Sequence, residues 1–184
     1  MDLSGLQQQL SGLTHYPIEQ WHPPFCGTIP LVIRRDGQWD YQQSPIQRLE
    51  LVRLFAAILS CQQGRYLLTT PSEQVEISVE DAPFMLVSYQ WLAQEQGPDQ
   101  LQVHSSVGET YLISAEYPVH LQADPATGAM LPYLQLPRGL QAKFGRNIYY
   151  QLVEQALSQA QPDGSALQLV SGDYVFRIGL FPEE

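Results

Sequence analysis

The chain has 184 residues, 44% of them hydrophobic and 15% charged, with a formal net charge of −10. A domain of that length buries roughly 70% of its unfolded surface without metal or disulfide staples, and a chain that uses Gln 24 times and Lys once still has the apolar content of a folded protein. Excess negative charge opposes nucleic-acid phosphates and anionic lipid, which removes nucleic acid and membrane surfaces from the expected partners.

The charge is unevenly spread. Residues 1–65 carry five acids and five arginines, and no Lys or Arg lies between Arg65 and Arg138, where nine acids run from Glu73 to Asp124. An acidic surface is expected on the central strands, with Arg48, Arg53, Arg138 and Arg146 where helices meet it. No apolar run approaches the roughly 18 residues of a membrane span. The start, Met1-Asp2-Leu3, has neither a basic nor an apolar leader pattern, so cytoplasm is expected. Cys26 and Cys61 are too few for a disulfide framework and are expected as reduced thiols.

In chain order, Leu3, Leu6, Leu10 and Leu13 predict a short amphipathic helix over 2–13 that closes over the protein's own core or docks on a partner. Trp21-His22-Pro23-Pro24-Phe25-Cys26-Gly27 predicts an extended, aromatic-rich loop, because paired prolines exclude helix. Residues 29–35 and 38–42 flank Asp36-Gly37, which predicts a hairpin with a type I′ turn. Ser44-Pro45-Ile46-Gln47 reads as an N-cap, a first-turn proline and a capping box, opening a helix over 45–60. Residues 66–70 and 75–79 predict a second hairpin, with Val75, Ile77 and Val79 inward against Glu76, Ser78 and Glu80 outward.

Phe84 to Leu92, Leu101 to Val107 and Thr110 to Ala115 predict an antiparallel meander, and short strands follow at Val119 to Gln122 and Tyr133 to Leu136. A helix is predicted over 140–160, with Phe144, Ile148, Leu152 and Ala156 on one face and Pro162-Asp163-Gly164 as its stop. Leu167 to Val170 and Tyr174 to Ile178 form a last hairpin. Residues 46–79 and 146–178 share the plan of helix, Gly-containing loop and hairpin, which predicts an internal repeat. The fold class is therefore α+β: two related subdomains in tandem, each a helix packed on antiparallel strands or hairpins, with a lead-in over 1–20, an N-terminal part over 21–82 and a C-terminal part over 83–184.

The residues Trp21-His22-Pro23-Pro24-Phe25-Cys26-Gly27, Arg35-Asp36-Gly37-Gln38-Trp39, Ser44-Pro45-Ile46 with Arg48, Leu51-Val52-Arg53-Leu54-Phe55, Gly64-Arg65-Tyr66, Thr70-Pro71 and Glu80-Asp81-Ala82-Pro83-Phe84 carry a resemblance to the bacterial family DUF1285. A fainter continuation runs through Val107-Gly108-Glu109, Arg138-Gly139-Leu140 and Tyr149-Tyr150, so the resemblance covers most of the chain. It implies two related α+β parts and a regulatory or signalling role, and it brings no established activity or cofactor. Where family members often carry an acid after the loop glycine, this chain has Thr28, which weakens a carboxylate role there.

For chemistry, His22 and Cys26 offer a base and a thiol, but without a third orienting residue. The histidines His15, His22, His104 and His120 have no metal-ligand spacing. Arg48 beside a capped helix start suggests anion capture, against pairing with Asp40, Glu50 or the central acids. Arg138, Lys143 and Arg146 could neutralise that belt. Trp21, Phe25, Trp39, Tyr41 and Tyr66 could line an apolar pocket or fill the core, and Asp81 before Ala82-Pro83 fixes a turn or acts as an acid. The expectation is a non-enzymatic cytoplasmic module that binds a small ligand or protein partner through Trp21, His22, Phe25, Cys26, Trp39, Arg48 and Asp81, with no catalytic residue, metal or cofactor. The rivals are a small enzyme using Cys26 and His22 or Asp81, and an oligomeric scaffold.

Overall fold

Period-2 alternation of apolar residues accounts for most of the molecule. The computed structural model describes residues 3–10, 16–159 and 166–180. It divides into one unit reaching to Pro83 and including Pro137–Leu140, and a second comprising Phe84–Leu136 and the chain from Gln141 onward. The expected helix end at Leu13, His15 and the stop at Pro162-Asp163-Gly164 lie outside the described residues.

In the first unit, α1 (Leu3–Leu10) precedes a meander of β1 (Phe25–Ile33), β2 (Trp39–Tyr41) and β3 (Ser44–Pro45). Helix α2 (Leu49–Ala57) then leads to a second meander of β4 (Leu59–Gln62), β5 (Arg65–Thr69) and β6 (Gln74–Val79). The six strands form one sheet in the order β3-β2-β1-β6-β5-β4. Its centre is a parallel pair, with Phe25 opposite Gln74 and Ile33 opposite Val79. Ile29, Leu31, Ile33, Leu59, Leu68, Val75 and Ile77 alternate onto one face and are buried, as are Val52 and Phe55 of α2. Leu6 and Leu10 of α1 are 0% and 1% exposed, so this helix closes over its own unit, packing against α2. Its Gln9 amide donates to Glu73 Oε1 at 2.6 Å and accepts from Thr70 Oγ1 at 2.6 Å and from the Ser72 hydroxyl.

Three local expectations change. The Asp36-Gly37 hairpin forms, but its loop has three residues: Arg34 N–H donates to Gln38 O at 2.7 Å and Gly37 N–H to Arg34 O at 2.9 Å, with positive φ at Gly37 (86°) and not at Asp36. Asp36 Oδ1 instead accepts from Gln38 N–H at 3.0 Å, which holds the turn. The two-residue turn with both φ positive falls at Gln42-Gln43 (50° and 68°), where Tyr41 faces Ser44. It draws Ser44–Pro45 into an edge strand, where the missing proline N–H costs nothing. The helix therefore begins at Leu49 with Arg48 in the N-cap position, and it ends at Ala57 so that Leu59–Gln62 can pair with β5.

In the second unit, β7 (Phe84–Leu92), β8 (Gln100–Ser105) and β9 (Thr110–Leu112) make one meander, and β10 (Val119–Ala123), β11 (Met130–Gln135) and β12 (Gln141–Phe144) another. The sheet order is β10-β11-β12-β7-β8-β9, again with a parallel central pair, Ala142 opposite Phe84 and Phe144 opposite Leu86. The start of the expected long helix is thus a strand, with Ala142 and Phe144 inward. Gly145 makes the switch: its N–H donates to Leu86 O at 2.9 Å, and a Cβ there would sit 2.6 Å from that oxygen. Helix α3 (Arg146–Ser158) follows and packs on β7 and on the hairpin of β13 (Ala166–Ser171) and β14 (Tyr174–Leu180).

The repeat is real but differently placed. Read as first meander then second, both sheets set the first strand beside the sixth, in parallel. The repeated element is the six-stranded sheet of 25–79 and 84–144, rather than the helix and hairpin of 46–79 and 146–178.

The charges also pair differently from expectation. Asp40 is held by Arg34 rather than Arg48: Arg34 Nε donates to Asp40 Oδ2 at 2.8 Å and Nη1 to Glu80 Oε1 at 2.9 Å, while Arg35 N–H donates to Glu80 Oε2 at 3.0 Å. The Arg34 hydrogen bonds come first among the causes that hold both carboxyls below their usual range, followed by Gln38 for Asp40 and the Arg35 N–H for Glu80.

Two outcomes follow from these contacts. Folded carboxyls below their unfolded range, about 4, stabilise the fold above that pH, and the contribution disappears as pH falls through the lower folded values. Asp40→Asn is expected to lower the urea midpoint at pH 7 and to lower it less at pH 3; an equal loss at both would exclude the ion-pair account. Separately, Ser171 Oγ accepts from Leu101 N–H at 2.9 Å and donates to Ile113 O at 2.6 Å, tying the last hairpin to the sheet at a residue 1% exposed. Ser171→Ala orphans both backbone groups and is expected to cost about 1–3 kcal/mol in urea unfolding; no loss would mean that the backbone finds other partners.

Candidate functional site

Parallel pairing of β1 with β6 brings the beginnings of both strands together, and Gln74 N–H extends the ladder to Pro24 O at 3.0 Å. The lead-in before β1, with a 3-10 turn at Ile18–Gln20, therefore lies at the same end as the β5–β6 turn. On the sheet face opposite the core, alternation presents Ser60, Gln62, Thr69 and Gln74. These side chains, the lead-in residues Ile18, Glu19, Trp21, His22 and Pro23, and Cys61 and Arg138 line a half-open cavity of about 490 Å³.

Arg138 reaches the cavity through an unusual backbone. It has φ 61° and ψ 26°, left-handed values that cost a non-glycine residue about 1 kcal/mol or more. Its Nε donates to Glu19 Oε1 at 2.8 Å and its Nη1 to Ala57 O at 2.6 Å. The next residue, Gly139, has φ 71°, and a Cβ there would stand 2.5 Å from Cys61 O, so the turn rests directly on β4.

The cavity's sheet face is uncharged. Thr69 Oγ1 accepts from Gln74 Nε2 at 3.1 Å, and Thr69 is 3% exposed. Ser60 is 5% exposed, and its Oγ has no partner among the described residues. A buried unpaired hydroxyl costs roughly 1–3 kcal/mol unless something bonds to it. On the rim, His22 Nδ1 lies 3.1 Å from Gln20 O, which places a proton on Nδ1.

Of the seven residues expected from sequence to bind, Trp21 and His22 line this cavity and the other five lie elsewhere, while Arg138 and Cys61, noted from sequence for other reasons, join the lining. Cys26 is exposed and donates its thiol to Pro24 O at 3.4 Å, so it and His22 engage different carbonyls and form no dyad. Phe25, 50% exposed, carries the Arg65 guanidinium 4.9 Å from its ring centre. Trp39 is core, 3% exposed. Arg48 is exposed ahead of α2. Asp81 acts on Tyr66, whose hydroxyl is pushed up to about 12 first by burial and then by neighbouring Cys61 and Asp81. Lys143 pairs with Asp124 at 3.5 Å, and Arg146 lies over the Tyr150 ring at 5.6 Å. Ser60, Thr69 and Gln74 were not singled out, being ordinary strand residues brought together by the ladder alone. Among the described residues no cluster of three or more His, Cys, Asp or Glu could hold a metal ion, and no helix is long and apolar enough to cross a membrane.

Comparison with protein families matches residues 16–82 to the N-terminal domain, and residues 83–178 to the C-terminal domain, of DUF1285, both described as of unknown function. Among solved structures, the chain is similar to a DUF1285 family protein from Silicibacter pomeroyi DSS-3, with 32% identity, TM-score 0.83 and coverage of 98% of this chain and 96% of that one. A DUF1285 family protein from Shewanella baltica OS155 is also 32% identical, with TM-score 0.53 over 69% of this chain and 92% of that one. No curated protein matches the chain.

Gly139→Ala combines a left-handed backbone with a clash against Cys61 O, and is expected to cost about 2–4 kcal/mol in chemical unfolding. Gly128→Ala is the control: at φ 72° it has nothing within 4 Å of the added Cβ, so only the backbone cost, about 1 kcal/mol, is expected. Equal losses would show that the contact with β4 carries no weight.

Proposed function

The chain belongs to the DUF1285 family, and from that premise we propose that it is a non-enzymatic, cytoplasmic binding module with a regulatory role, holding a small polar molecule in the cavity of its first unit. The observation that carries this reading is Ser60, a residue of the cavity wall whose buried hydroxyl has no partner among the described residues. A guest that reaches this hydroxyl would remove the cost of leaving it unpaired. A volume of about 490 Å³ is within the range of small-molecule sites. Free thiols at Cys26 and Cys61 suit a reducing compartment. The different engagements of His22 and Cys26 favour binding over thiol chemistry.

The test is thermal unfolding of the full chain and of Ser60→Ala with nucleobases, amino acids, dicarboxylates and monosaccharides at millimolar concentration. One class is expected to raise the parent midpoint in proportion to the logarithm of its concentration. Without ligand, Ser60→Ala is expected to be as stable as the parent or more stable by about 1 kcal/mol, because it removes an unsatisfied group, and it should lose the ligand shift. A destabilised Ser60→Ala, or a shift that survives the substitution, would overturn the reading.

A further inference from the structure

The nature of the guest follows from the arrangement of hydrogen-bonding groups, and it rests on the binding reading above. We propose that the cavity takes a small, uncharged, planar ring with a lactam edge, an N–H beside a C=O, as in the pyrimidinones. Because Gln74 Nε2 already gives one proton to Thr69 Oγ1 at 3.1 Å, the pair still offers a guest the Thr69 proton, the second Gln74 N–H and the Gln74 amide oxygen. A donor and an acceptor on adjacent side chains are complementary to a C=O and an N–H on one ring edge.

Anions fit less well. The one guanidinium in the lining is tied to the Glu19 carboxylate at 2.8 Å and to Ala57 O at 2.6 Å, so its charge is balanced within the wall. A carboxylate or phosphate would face both Glu19 and the Gln74 oxygen, acceptor against acceptor. Trp21 lines the same space and supplies an aromatic face, which stacks on a planar ring whatever its substituents.

The experiment is an NMR titration of the full chain with uracil, with benzoate and inorganic phosphate as comparators, following the indole N–H signal that Trp21→Phe removes. Uracil is expected to shift this signal saturably, and benzoate and phosphate are not. Gln74→Glu makes the neighbour of Thr69 an acceptor only, so the Thr69 proton turns toward it and the donor–acceptor pair is lost; uracil affinity should fall about ten-fold or more. Gln74 is only partly buried, so this variant is expected to keep the parent circular-dichroism spectrum; Thr69→Val is the second, more buried probe. Saturable binding of benzoate or phosphate in place of uracil would overturn the lactam assignment and leave the ligand site standing, as would a ligand of another class whose thermal shift depends on Ser60. Undiminished uracil binding in both Gln74→Glu and Thr69→Val would also overturn the assignment. Failure of every compound in both experiments would remove the site itself.

Discussion

Each six-stranded sheet closes on two parallel strands that are the first and the last of its six. Antiparallel neighbours within a meander need only short turns, but a parallel neighbour must be brought back from far along the chain, and the ordering entropy of that return is spent before its contacts form. In the first unit the return is stabilised by Ile29, Leu31 and Ile33 on β1 and by Val75 and Ile77 on β6, all nearly removed from water. If this pair fails, what remains is two separate three-stranded meanders, each with only half of that core.

The same pairing determines where a site can arise. Parallel strands begin at the same end of the sheet, so the segment before β1 and the turn before β6 are neighbours although some fifty residues separate them in sequence; the bond from Gln74 N–H to Pro24 O expresses this directly. The lead-in then covers one end of the sheet's outer face, and the side chains beneath it are those the pleat happens to present. One more piece completes the lining, the left-handed turn at Arg138-Gly139, where the close seat of Gly139 on Cys61 O admits only glycine.

This explains what could be read in the sequence. Strands with clean alternation, such as Val75-Glu76-Ile77, were legible because burial on one face leaves a period of two. Ser44–Pro45 was not, because a serine followed by a proline suits both a helix start and an edge strand, and the choice was made by the Gln42-Gln43 turn, which carries no glycine to announce it. Gln141–Phe144 offers only two inward residues, too few to separate a strand from the first turn of the helix behind it. The presence of a repeat was legible, but its phase was not, since the helix-and-hairpin pattern is louder than the strand order that actually recurs. At the site, Trp21 and His22 drew attention as unusual residue types, whereas Ser60, Thr69 and Gln74 are unremarkable singly and acquire meaning only from register.

The net charge of −10 also takes on a different sense once partners are known. At least three of the nine central acids are matched: Glu76 by Arg65 at 2.6 Å, Glu80 by Arg34 at 2.9 Å and Asp124 by Lys143 at 3.5 Å. With Arg138 held by Glu19 at 2.8 Å, four of the chain's nine basic residues are committed to carboxylates within the fold. The exposed pairs among them add little stability in water, and a consequence common to all four is to withdraw cationic groups from recognition. A protein short of uncommitted positive charge recognises best through shape and neutral hydrogen bonds. A cavity with hydroxyls and amides on its sheet face and an indole beside them is what such a chain can build, and its selectivity would rest on the cost of leaving one of those buried groups unpaired by the wrong guest.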